Sequence, residues 1–181
     1  MTVKKILSFK IKTVSLFILV LNLTACFPSN EDALKHDLEL HGYTMGTTYS
    51  IKVVVSKDYD GSTLQKLIDD KLKAINQSMS TYIPDSELSQ FNKSTSTDFI
   101  EISSELRKVI TEALRLGDIS QGKLDITVGP LVNLWGFGPD MRVEQLPSDV
   151  EINNARTRVG LEYLTLTEQG LKKSNPDVYV D

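Results

Sequence analysis

Two hydrophobic periods alternate along the chain. Residues Glu39 to Val55 alternate apolar and polar positions and are rich in Thr, Tyr, Val and Ile, a pattern that favours strand pairing. Met45-Gly46 predicts a bend between a first strand and a second over Thr48 to Val55. Asp60-Gly61 turns the chain, and Ser62 or Thr63 caps a helix reaching about Ser78. On that helix Leu64, Leu67, Ile68, Leu72, Ile75 and Met79 recur at helical spacing and form one apolar stripe. Met79 to Asn92 is irregular and polar, and Phe99 to Ile102 is a short strand candidate. A second amphipathic helix starts near Ser103 or Ser104, with Leu106, Val109, Ile110, Ala113 and Leu114 on one side. Gly122 ends it in a left-handed turn.

Beyond that point Leu124 to Val128 reads as extended, and Pro130 to Pro139 as a loop of Gly, Pro and aromatic residues. Ser148 with Glu151 three residues later is a capping box. It opens a helix to about Val159, which Gly160 stops. Tyr163 to Thr167, Leu171 to Ser174 and Val178 to Asp181 read as strands. Helices and strands are interspersed without βαβ regularity or internal repeats. The predicted class is therefore α+β, a mixed or antiparallel sheet with packed helices. The strand beginning at Asp177 has no closing element after it, and a terminal strand can be genuine.

The first residues follow neither period. Lys4 to Lys12 form a positive segment, and Val14 to Leu21 is almost wholly apolar but too short to span a bilayer. That is the layout of a secretory signal. Leu23-Thr24-Ala25-Cys26 then places small residues before the only cysteine, which resembles the lipobox of bacterial lipoproteins. Cleavage there would leave Cys26 as a lipidated N-terminus, and Phe27, where an Asp would retain the protein at the inner membrane, points to the outer membrane. The alternative is a plain signal with a small, buried cysteine. Phe27 to about Leu38 reads as a tether. The expected organisation is a signal over 1–25, a lipidated tether over 26–38 and one exported domain over 39–181.

Composition narrows the function classes. The chain has 181 residues, 40% hydrophobic and 24% charged, which excludes a disordered or collagen-like protein. Without the four lysines of the first 25 residues, 16 basic residues face 24 acidic ones, a balance of −8. No basic stripe is present, and so acidic a domain is a poor nucleic-acid binder. There is no Walker A loop, and Gly136 and Gly138 open no helix after a strand. His36, in the tether, and His41 are the only histidines, and neither has metal-site spacing.

Three segments are unusual for loops: Gly42 to Ser50 (GYTMGTTYS), Met79 to Asn92 (MSTYIPDSELSQFN) and Gly122 to Pro139 (GKLDITVGPLVNLWGFGP). Together they resemble the ApbE family of flavin transferases. The specific parts are Ser80-x-Tyr82-x-x-x-Ser86-Glu87-Leu88-Ser89-x-Phe91-Asn92, and Asp125-x-Thr127-Val128-Gly129-Pro130-Leu131 followed by Trp135-Gly136-Phe137-Gly138. The likeness runs from near Leu40 to Asp181. It departs at Leu124, where the family commonly has Phe, which loosens packing at the flavin.

The resemblance implies that FMN moves from FAD to a threonine of a target respiratory or redox protein, with AMP released. It places Met45 and Tyr82 at the flavin, Lys123, Leu124 and Asp125 along the FAD, and Asp181 as a further FAD contact. A thioether and a phenol offer polarizable and π surfaces to the ring system, and a carboxylate accepts hydrogen bonds. Met45 also fits plain strand packing, and Lys123 also fits a backbone contact only. Trp135 and Phe137 read as packing residues, Asp85 and Glu87 as turn and capping groups. The resemblance further implies Mg²⁺, with its ligands beyond residue 181 and none identified here. The chain is then expected to be an N-terminal part of an exported transferase, inactive alone. The other readings are a non-catalytic FAD-binding lipoprotein of the periplasm and a structural lipoprotein.

Overall fold

A computed structural model of the chain describes residues 35–139 and 146–181. Cys26, the signal segment and most of the tether lie outside the described residues. The order of elements is β1 (Lys35–Thr44), β2 (Thr47–Ser56), α1 (Gly61–Met79), α2 (Glu87–Lys93), α3 (Ser104–Ile119), α4 (Gly129–Leu134), α5 (Asp149–Arg156), a 3₁₀ turn (Leu161–Tyr163), β3 (Leu164–Thr167) and β4 (Gly170–Lys173). Strand β1 pairs with β2, and β3 with β4, in two two-stranded sheets. Strand pairing begins at Lys35, so His36 and the last residues assigned to the tether belong to β1.

The described residues fall into two compact units. One holds Lys35–Leu40 and Ser50–Gly61, the open end of the hairpin, where Lys52 pairs with Glu39 at 2.5 Å. The other holds His41–Tyr49 and everything from Ser62 onward. Its core is Leu88, Phe91, Ile102, Leu106, Ile110, Leu164, Leu171, Val178 and Val180. Helix α3 supplies Leu106 and Ile110 from the apolar side that the spacing predicts. The Ser103 hydroxyl caps it by accepting from the Leu106 amide at 3.2 Å. It ends in two left-handed residues, Gln121 (φ 56°) and Gly122 (φ 75°), and the Gly122 amide donates back to the Gly117 carbonyl at 2.8 Å. Both halves of the Ser148–Glu151 capping box form at the start of α5.

Five further expectations are corrected. Met79 to Asn92 contains α2, which starts because the Ser86 hydroxyl accepts from the Ser89 amide at 3.0 Å. Pro130 stands in the first turn of α4, where its missing N–H has no helical partner to lose, so the loop expected there is partly helix. Leu124 to Val128 is a turn: the Asp125 carboxylate accepts from the Thr127 amide (2.8 Å) and hydroxyl (2.6 Å). Phe99 to Ile102 and Val178 to Asp181 each make a single bridge, Ile100 to Leu171 and Val128 to Tyr179.

Lys173 is the unexpected core residue. It lies on the buried face of β4, fully enclosed. Its ammonium donates to the carbonyls of Asn92 (3.0 Å) and Val178 (3.3 Å) and sits 5.3 Å from the centre of the Phe91 ring. Burial pushes its pKa down from the usual lysine value, against a smaller upward pull from Asp177.

Candidate functional site

Helix α1 buries none of its residues. The C-terminal half of its apolar stripe, Leu72, Ile75 and Met79, lines an open groove of about 1160 Å³, and Met79 also packs against the core. The opposite wall is the turn of the hairpin, Gly42–Gly46, and one end is closed by Ser80–Ile83. The size and the mix of apolar floor and polar rim suit a large aromatic ligand.

The hairpin turn is tied to α1 at two points. Asn76 donates to the Thr44 hydroxyl at 3.0 Å. The Tyr49 hydroxyl donates to Asp69 at 2.5 Å, and Gln65 donates to both of them. Gly42 makes the second tie possible, because a Cβ there would lie 2.5 Å from the Tyr49 ring. The hydrogen bond from Tyr49 holds the Asp69 carboxyl below its usual pKa, and the same bond raises that of the phenol. Asp69 is therefore an anion on the groove wall at neutral pH, and Lys73 stands in the same lining. Neither residue was anticipated from the sequence. Their one signal is their place on the polar flank of the α1 stripe.

Met45 is in the turn itself. Both turn residues are left-handed, Met45 at φ 51° and Gly46 at φ 72°, as a two-residue turn between right-twisted strands requires. A methionine is poorly suited to that backbone region. It is also 57% exposed, which leaves strand packing without support as the reason for its presence. We expect Met45→Asn to raise folding stability by up to about 1 kcal/mol, the lower end of the strain such a residue stores, and to weaken the flavin binding that the resemblance implies. Thermal unfolding with and without FAD separates the two effects. A gain in stability with FAD affinity intact would dissociate Met45 from the ligand.

Tyr82 is 66% exposed and pinned, its hydroxyl donating to the Phe137 carbonyl at 2.8 Å. The loop beneath it is held by buried hydroxyls: Ser86 and Ser89 both donate to the Ser80 carbonyl, at 2.6 and 3.2 Å. That accounts for the serines of the motif. Next to Tyr82, the Thr81 hydroxyl donates to the Asp181 carboxylate at 3.0 Å. Glu87 accepts from Ser78 (2.8 Å) and from the Ser103 hydroxyl (2.7 Å) and amide, joining the ends of three helices. Phe137 is 76% exposed and Trp135 is exposed, so of the packing roles expected for them a place in the core is excluded.

Met45 and Tyr82 thus share one groove, with Asp181 fastened to its Ser80–Ile83 end. Asp181 itself, Lys123, Leu124 and Asp125 are not in that lining; Asp181 reaches it only through Thr81. Lys123 and Leu124 are exposed, and Asp125 borders a smaller depression of about 400 Å³. The two regions are joined through the backbone, where the Asp181 amide donates to the Ile126 carbonyl at 2.9 Å. Among the described residues no group of three or more His, Cys, Asp or Glu comes together to hold a metal ion.

The sequence profile of the ApbE family matches residues 45–181. The "FAD:protein FMN transferase" of Vibrio cholerae is 48% identical over 145 residues, covering 80% of this chain and 43% of that protein. That of Escherichia coli K12 is 37% identical over 175 residues, covering 93% of this chain and 50% of the relative. The solved structure of the flavin transferase ApbE from Vibrio cholerae superimposes with a TM-score of 0.79 at 47% identity, over 81% of this chain and 48% of the other. The chain spans about half the length of the relatives it matches.

Proposed function

The chain belongs to the ApbE family, and on that premise we propose that its groove binds FAD as part of an FAD:protein FMN transferase. The observation that carries the reading is the meeting of Met45 and Tyr82 in one groove floored by apolar residues of α1. The flavin ring lies against the Tyr82 face and the Met45 thioether. Asp181 accepts hydrogen bonds from polar groups of the ligand, and Lys73 offers positive charge to its phosphates. In the transfer, a threonine hydroxyl of the target protein attacks the FMN phosphorus. The pyrophosphate bond breaks, the hydroxyl proton passes to solvent, and AMP leaves with the bonding electron pair.

The Mg²⁺ that the family resemblance implies has no matching donor set among the described residues. Their contribution is to bind and orient FAD. We accordingly propose that the chain alone binds FAD and transfers no FMN. We also propose that Cys26 carries a lipid that holds the protein at the outer membrane, facing the periplasm. The support is the short apolar segment ending in Leu23-Thr24-Ala25-Cys26. The decisive experiment titrates the chain with FAD and follows flavin fluorescence. Saturable quenching is expected, and its absence would refute the reading. Adding Mg²⁺ and a domain with an acceptor threonine should give no covalent flavin on a gel.

A further inference from the structure

The segment carrying Asp181 is gripped from below by two side chains that touch no part of the groove. Asn92, buried on α2, presents its carboxamide edge-on to Val180. Its Nδ2 donates to the Val180 carbonyl at 2.8 Å, and its Oδ1 accepts from the Val180 amide at 2.8 Å. That pair of bonds reproduces the exchange between two hydrogen-bonded residues of neighbouring strands, made here by one side chain. Lys173 closes the grip. Its buried ammonium donates to the Asn92 carbonyl and to the Val178 carbonyl, so it ties α2 to the segment a second time.

Stability alone is a weak reason for this arrangement. A buried ammonium with no carboxylate at hydrogen-bond distance carries a desolvation penalty that a methionine of similar volume would avoid. What the polar pair supplies is register. Strands slide, and a slip of one residue turns every side chain to the other face. Backbone pairing meets residues 178–181 at their outer positions, in the bridge from Tyr179 to Val128 and the bond from the Asp181 amide to the Ile126 carbonyl, and Asn92 takes both backbone groups of Val180 between them. With Val180 fixed by Asn92, the next residue falls where its amide meets the Ile126 carbonyl and its carboxylate meets the Thr81 hydroxyl.

We propose that Asn92 and Lys173 form a positioning latch that sets the register of residues 178–181 and so presents the Asp181 carboxylate to the FAD groove. The inference rests on the reading of the groove as an FAD site. Asn92 and Lys173 act through Asp181 and do not touch FAD.

The test is a double-mutant cycle in the full chain, read by FAD titration, with amide exchange as a second measurement. Asn92→Ala should weaken FAD about tenfold, the size of one lost charge-assisted hydrogen bond. Asp181→Ala should weaken it by a similar factor, and the double variant no further than Asp181→Ala alone. Independent losses that multiply would overturn the latch, because a purely structural role does not depend on Asp181. Asn92→Ala should also speed exchange at the Val180 and Asp181 amides, and unchanged protection there would overturn it too. If Asn92→Ala fails to fold, Asn92→Asp keeps the acceptor for the Val180 amide and replaces the donor with a carboxylate oxygen that faces the Val180 carbonyl. Its affinity should then fall between wild type and Asp181→Ala. A wild-type chain that binds no FAD would defeat the functional reading, while the exchange data would still decide whether the latch holds the segment.

Discussion

Gly129→Ala is expected to lose about 1–3 kcal/mol of folding stability, the usual cost of overpacking a closed site, and to weaken FAD binding with it. Gly129 opens α4 in close contact with Tyr179. A Cβ at position 129 would lie 2.8 Å from the Tyr179 carbonyl oxygen and closer still to the ring. A side chain can swing away, but a carbonyl moves only with its backbone. Two effects oppose each other. Alanine is the better helix former by at most about 1 kcal/mol in a helix interior, and by less in a first turn. The clash has no cheap relief, because Tyr179 is bridged to Val128 and its neighbour Val180 is held at both backbone groups by Asn92. The clash therefore dominates. Relief requires the 178–181 segment to move, which carries Asp181 away from Thr81. A lowered denaturant midpoint at constant slope, together with weaker FAD binding, is the expected pair of readings. Tyr179→Leu in the same background should restore only part of the loss, since the carbonyl remains. A variant as stable as wild type would show that the segment yields freely, and the argument for a fixed Asp181 would fall with it.

Much of this architecture is legible in the sequence wherever one local rule decides. The hairpin bend at Met45-Gly46, the periodic helices α1 and α3, and the Ser148–Glu151 box all declare themselves through spacing or capping. The helices that escaped are the short ones. Helix α2 is seven residues long, and its inward face includes Ser89 and Asn92, polar groups that stay buried only because Ser80 and Val180 satisfy them. No hydrophobic period can reveal such a helix, since its buried side is partly polar and the Val180 that satisfies Asn92 lies 88 residues away. Pro130 and the aromatic residues after it resemble a loop, yet a proline in a first turn is compatible with helix.

The site divides in the same way. Met45, Tyr82 and Asp181 stand in family motifs, and nothing in their spacing says that the first two share a groove and the third is tied to its Thr81. Asp69 and Lys73 had only a weak local signal, and Lys173 had none. A lysine on the inward face of a strand contradicts the alternation rule until the carbonyls of Asn92 and Val178 are seen around it. The α1 stripe was found correctly as a stripe. Its destination could not be inferred, because an apolar face looks the same whether it lines a core or a ligand groove.

Tyr82→Ala should weaken FAD by about 1–3 kcal/mol, borrowing the magnitude measured for bases stacked on aromatic residues. The isoalloxazine ring is at least as large as a base. The same truncation should leave folding stability within about 0.5 kcal/mol, the usual range for exposed positions, because the side chain is 66% exposed and its removal empties no core. That separation is what makes Tyr82 informative: affinity moves and stability does not. Tyr82→Phe keeps the stacking face and removes only the hydrogen bond to the Phe137 carbonyl. It should lose the smaller share, about 0.5–1.5 kcal/mol at most, as expected for one neutral hydrogen bond that orients the ring. The order wild type, Phe, Ala by titration calorimetry is thus the signature of a stacking platform whose hydroxyl serves only to aim it. An Ala variant with unchanged affinity would remove the ring from the binding surface. A Phe variant as weak as Ala would mean that the phenol works through the Gly136–Gly138 loop it holds, and that the flavin lies elsewhere along the groove.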